Sequence, residues 1–255
     1  VIVEISEALV NKLLDTVDAG LVSGLGEPVP GKMCVEAAIS YALGERHGDT
    51  PSCVAPSVRS GQVTLNDSHW SSPAARAEGL RRVAIAQLGS KGVIDERRYA
   101  RVLVEQTIKV ILPAVLRAAA RRNPDHAAAL ESAASECEAT PTKNSASRAC
   151  DVANLAHCYS AATAANYARA AAIHADSIPD CAEGVEESFI TACINAAATA
   201  TNYAAATAAN NAAAAIALYG ADKQDHVLMI MAGLMENALR ECGSPGCEWL
   251  WLCEE

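Results

Sequence analysis

Residues 161–172 read AATAANYARAAA and residues 197–208 read AATATNYAAATA, so nine of twelve positions match at an offset of 36. A repeat of that length fits a helix–turn–helix unit. Alanine has the highest helix propensity, because it loses no side-chain entropy, and its small size lets helix axes approach closely. The second half therefore predicts two long similar helices, about 147–175 and 185–219, paired as an antiparallel hairpin with a turn at Pro179 and Gly184. Asn166 and Asn202 fall at equivalent points of the repeat. A buried asparagine needs hydrogen-bond partners, so these two are expected to bond across the pair and fix its register. The whole chain reads as all-α, a multi-helix bundle.

Charge divides the chain. Residues 1–123 hold 15 Lys/Arg and 13 Asp/Glu, which leaves 5 and 17 of the chain's 20 and 30 for the remainder. The acidic half would repel a phosphate backbone, which argues against general nucleic-acid binding. The longest uncharged run, 188–221, is rich in alanine and carries Asn195, Asn202, Asn210 and Asn211. Amides are costly in lipid, so this run predicts a buried helix rather than a membrane span. Glu4 ends the apolar start Val1-Ile2-Val3 far short of a signal core. Several of the ten cysteines sit in alanine-rich helices, where the residue acts as a small hydrophobe. The expectation is reduced thiols in a cytoplasmic protein, with an extracellular structural protein as the alternative.

The first half is a run of shorter helices. Ser6 can cap a helix to Ala19, and Gly20, Gly24, Gly26 and Gly31 punctuate the loop that follows. A second helix is predicted from Lys32 to Leu43, stopped by Gly44, and a third from Pro56 to Leu65. Ser72-Pro73 marks the clearest start, for a helix running to Leu88. Asp95 caps the next, which runs to Arg122 with a kink at Pro113. A further helix from Asn123 to Glu138 precedes the polar stretch ATPTKNSA at 139–146. These marks divide the chain into a mixed-charge helical part at 1–138, an acidic alanine-rich part at 147–241 and a tail at 242–255. The final helix is predicted from Asp222 to Arg240.

Residues able to carry chemistry gather in the first half: Cys34, Glu36, His47, Asp49, Cys53, Arg59, Asn66, Asp67, His69 and Trp70. Cys34 falls near a helix start, where the dipole lowers a thiol pKa; His47 could serve as base and Asp49 could orient it. Cys34, His47 and Cys53 with Asp49 or His69 could instead ligate zinc, but the spacing matches no zinc pattern. No metal and no cofactor is therefore assigned. In the bland reading, Cys34 is core and His47-Gly48-Asp49 is a hydrogen-bonded loop. No Rossmann, P-loop or nucleophile-elbow motif is present.

Two further segments suggest contacts. Arg97, Arg98 and Arg101, with Arg81, Arg82 and Lys109, form a cationic strip that could meet an anionic partner, including the acidic half of another copy. The tail CGSPGCEWLWLCEE sets Trp249, Leu250, Trp251 and Leu252 behind a flexible Gly-Ser-Pro-Gly break. An extended tail would show two apolar faces, and such area calls for burial on its own chain or on a neighbour.

The stretches GKMCVEAAISYALG (31–44), HGDTPSCV (47–54), LNDSHWSS (65–72) and RRVAIAQLGS (81–90) resemble a group of uncharacterised bacterial proteins over roughly the first 120 residues. That group brings no activity with it, so no catalytic residue is carried over. The alanine-rich half is similar to helical immunity proteins of bacterial toxin systems. Three functions follow as expectations. The leading one is a non-enzymatic, self-associating structural or interaction protein, a homo-oligomer or filament subunit with the tail as a contact. The second is a small enzyme or ligand-binding protein using Cys34, His47 and Asp49. The third is an immunity-type binder of a basic partner.

Overall fold

Five of the helices start where a side chain takes up a free amide, at Ser6, Cys34, Ser72, Asp95 and Thr142. A computed structural model describes residues 4–176, 205–213, 216 and 221–254. Its helices are α1 (Glu7–Asp18), α2 (Val35–Leu43), α3 (Pro56–Asn66), α4 (Pro73–Ala86), α5 (Glu96–Gln106), α6 (Leu112–Arg122), α7 (Ala127–Ala139), α8 (Lys143–Leu155), α9 (Tyr159–Asp176) and α10 (Ala221–Glu241). Residues 205–213 are helical as well. No strand occurs among the described residues, only an isolated antiparallel bridge between Gly26 and Met33. The protein is all-α. No described helix is long and apolar enough to cross a membrane.

Caps at Ser6, Ser72 and Asp95 stand where the sequence puts them. Elsewhere the chain departs from its local pattern. The second helix begins at Val35 rather than Lys32, because the bridge at Met33 holds the preceding residues extended and Cys34 becomes the cap. Gly26, at φ +71°, makes that approach possible: a Cβ there would lie 2.0 Å from the Lys32 carbonyl oxygen. At Pro113, which has no N–H to give, the helix passes through a π turn, Thr107–Ile111. There the Leu112 N–H reaches back five residues to Thr107.

The polar stretch at 139–146 narrows to residues 140–142. α7 runs on to Ala139, and Thr142 and Ser145 form a capping box that opens α8. The first long repeat helix is two helices. Cys158 N–H bonds to the Ala153 carbonyl and His157 N–H to that of Asn154, with His157 at φ +53°, and this closes α8 before α9 begins. Asn166 is exposed and accepts from Arg169 of its own helix at 2.7 Å. Asn202, the predicted turn at Pro179 and Gly184, and most of the second repeat helix lie outside the described residues.

α4 lies at the centre, against α1, α2, α10 and the tail. From α10, Glu236 takes both arms of the Arg82 guanidinium at 2.9 Å, and Asp225 accepts from the Ser71 amide at 2.9 Å and from the Ser71 hydroxyl. The tail is a 3₁₀ helix, Pro245–Cys253, and not an extended segment. Ser244 Oγ donates to the Ala86 carbonyl at 2.6 Å and the Gly246 N–H to that of Leu88 at 2.9 Å. Only glycine fits at 246, since a Cβ would sit 2.0 Å from the Ile85 carbonyl oxygen. One apolar core runs from Val10 in α1 to Leu252 in the tail.

Candidate functional site

The loop between α1 and α2 is fastened to the end of α3 by Asn66 and Asp67. Asn66 Oδ1 accepts from the Val35 N–H at 3.2 Å, and its Nδ2 donates to the Val22 carbonyl and to Asp67, both at 2.9 Å. Asp67 Oδ1 also accepts from the Gly24 N–H at 2.7 Å. Arg76, buried under this junction, donates to the carbonyls of Asn66 at 2.8 Å and Leu21 at 3.0 Å. Between the loop, the start of α2 and the end of α3 remains a cavity of about 150 Å³. Its walls include Gly24, Cys34, Glu36, Asp49, Asn66 and Asp67.

Glu36, in the first turn of α2, is the group that stands out. It is 0% exposed, and neither carboxylate oxygen has a hydrogen-bond partner. Burial pushes its pKa up to about 8, because a charged carboxylate loses its water there. The Gln87 amide and the Arg59 charge pull the other way, although Gln87 does not reach hydrogen-bond geometry with either oxygen, and Asp49 adds to the rise. Gln62 of α3 and Gln87 after α4 are themselves wholly buried with their amide atoms unpaired.

Of the triad expected from the sequence, Cys34 and Asp49 meet at the cavity and His47 turns away. His47 Nε2 lies 3.1 Å from the Gly26 carbonyl, which can only accept, so that nitrogen carries the hydrogen. Asp49 pairs with Arg59 at 3.6 Å, and Arg59 also donates to the Asp49 backbone carbonyl at 3.1 Å. Cys34 caps α2, its sulfur accepting from the Ala37 N–H at 3.4 Å. Burial nonetheless pushes this thiol up to about 11, with Glu36 and Asp49 adding to the rise. The helix dipole is outweighed, and at neutral pH the group is a thiol rather than a nucleophilic thiolate. Burial likewise raises the Cys53 thiol. Among the described residues no group of three His, Cys, Asp or Glu side chains is placed to hold a metal ion, so Cys34, His47, Cys53, Asp49 and His69 do not form a zinc site. The eight described cysteines are free thiols.

The other candidate residues sit apart from this cavity. In the tail, Leu250 and Leu252 are buried against their own chain, Trp249 is half-buried and Trp251 is 49% exposed. The cationic strip is divided. Arg81 grips Asp18 at 2.9 and 3.2 Å and donates to the Cys253 carbonyl, and Arg82 grips Glu236. Arg98, Arg101 and Lys109 stay exposed, while Arg97 is half-buried. A larger open cleft of about 470 Å³, lined by Val115, Asn123, His157, Cys158 and Tyr159 among others, contains no buried polar side chain left unpaired.

Sequence reasoning named Glu36, Asn66 and Asp67 but missed Gln62, Gln87 and Arg76. One signal was present: Arg59, Gln62 and Asn66 recur at i, i+3 and i+7 on one face of α3, the face that also carries the apolar Val58 and Leu65. Polar residues on a face that must be buried mark a site. Comparison of the chain with protein-family models, curated proteins and solved structures finds no match to any of them.

Proposed function

We propose that this chain binds a small polar molecule in the cavity walled by Cys34, Glu36, Asp49, Asn66 and Asp67. One observation carries the reading: a wholly buried carboxyl at the cavity, with both oxygens unpaired. A buried polar group left without a partner costs about 1–3 kcal/mol, and more when charged. A fold that keeps such a group where leucine would pack reserves it for a partner from outside. A carboxyl held near neutral pH is also suited to exchanging a proton with whatever binds.

Glu36→Gln tests this reading, because it removes the charge and keeps the shape. The variant is expected to melt about 2–8 °C above the parent at pH 8, from a gain of about 1–3 kcal/mol. At pH 5, where the parent's carboxyl is protonated, the two should melt together. A variant that melts lower at both pH values would make Glu36 a structural residue and sink the reading.

A second reading, self-association through the tail, is favoured by the exposed Trp251 ring. It predicts that Trp251→Ala lowers the mass measured by light scattering. A monomer before and after the substitution would exclude it.

A further inference from the structure

We propose that the cavity takes a small organic cation carrying N–H donors, an alkylammonium or guanidinium head group, with Glu36 as its principal partner. This inference rests on the binding reading above. The argument is one of unspent capacity. At the start of α2 two of the amides that would usually hold an anion are occupied: Val35 N–H by Asn66, and Ala37 N–H by the Cys34 sulfur. Both nearby guanidinium groups already have acceptor partners. Arg59 is held by the carboxylate and carbonyl of Asp49, and Arg76 by two backbone carbonyls. Among the residues that line the cavity, the unpaired buried atoms are acceptors, the two oxygens of the Glu36 carboxyl, with Asp49 and Asp67 in the same wall; the unpaired amides of Gln62 and Gln87 are not part of that lining.

Such a site selects a donor, and its charge selects a cation. The volume, about 150 Å³, equals roughly five water molecules' share of liquid, which suits a head group of a few heavy atoms. Metal ions are the poorer fit, because no three ligating side chains among the described residues converge.

Binding is coupled to a proton. The charged and titratable groups facing Glu36 are Arg59 of α3, Asp49 of the loop before α3, Cys34 at its own helix cap and Cys53. Gln87, the residue that follows α4, contributes only a neutral amide. Arg59 is committed to Asp49, so an incoming cation supplies the positive charge that Glu36 lacks and displaces its proton. Affinity should therefore be about tenfold higher at pH 8 than at pH 6.5, with close to one proton released per cation bound at pH 6.5.

The experiment is an NMR titration of ¹⁵N-labelled full-length chain at constant ionic strength. The probes are methylammonium, guanidinium at non-denaturing concentration, tetramethylammonium, acetamide and acetate. Methylammonium or guanidinium should shift the amide signals of Gly24, Val35 and Glu36 saturably at pH 8, and which of the two binds tighter decides the head group. The response should weaken about tenfold at pH 6.5 and disappear in Glu36→Gln. Asp49→Asn, which leaves the buried group in place, should weaken it several-fold and guards against a Gln variant that fails to fold. Saturable binding of acetamide or acetate without the cations would overturn the cation assignment and leave the binding reading standing. Equal binding of tetramethylammonium would overturn the donor requirement. If no probe binds, the assignment falls; the binding reading falls with it only if Glu36→Gln also brings no gain in stability.

Discussion

The two halves of this molecule fill space in opposite ways. Around α1 to α5 the core is made of bulky side chains, Leu13, Ile39, Leu80, Tyr99 and Leu103 among the fully buried ones. Around α8 and α9 it is made of Ala146, Ala149, Ala153, Ala161, Ala164, Ala165 and Ala168. Large side chains interdigitate at wide helix spacing and leave corners, and in one such corner the chain has placed Glu36. Alanine faces bring helix backbones together and leave little room for a side chain to turn. The candidate cavity and the alanine contacts thus lie in different halves.

The comparison breaks most readily in the bulky half. Leu80→Ala should cost about 2–5 kcal/mol in denaturant unfolding, since α4 is packed on several sides and cannot collapse onto the void. A cost under 1 kcal/mol would mean that this core is not close-packed.

The next effect belongs to Glu36. Its folded pKa, about 8, exceeds the ordinary 4.5, so between those values the folded state holds a proton that the unfolded chain gives up. Its contribution is therefore fully present below about pH 4.5 and is lost as pH rises toward 8, an effect on the order of a few kcal/mol. The parent's melting temperature should fall across that window relative to Glu36→Gln. Parallel profiles for the two would place the carboxyl in water.

In the alanine half the sign of the size effect reverses. Ala165→Leu adds bulk to a fully buried contact and should cost about 1–3 kcal/mol, where truncation has nothing to remove. A neutral result, read from the same unfolding curves, would show slack between α9 and its neighbours.

What could be read from the sequence was what local chemistry decides. Ser6, Ser72-Pro73 and Asp95 announce helix starts because a cap and its amides lie within three residues. The start of α2 is not legible locally, because Met33 bridges back to Gly26 and the first amide of the helix is claimed by Asn66, 31 residues on. The break at 156–158 was hidden by alanine, which continues a helix on either side of a turn, and the turn itself uses a histidine where glycine would have signalled it. Cys34, Glu36, Asp49, Asn66 and Asp67 were visible as a polar set. That His47 leaves the set while Glu36 becomes its centre depends on tertiary burial, which residue types alone do not specify.

The tail and α10 have a consequence for how the chain is made. Ser71 waits for Asp225, 154 residues later, and Ala86 waits for Ser244, 158 residues later. At typical synthesis rates that is roughly 8–30 s in which a nascent α4 has no cover on that side. These later segments act as a clasp over apolar surface that emerges well before them. A ribosome-bound intermediate halted before residue 221 should therefore be a chaperone client, and release of the clasp should complete the fold in one late step.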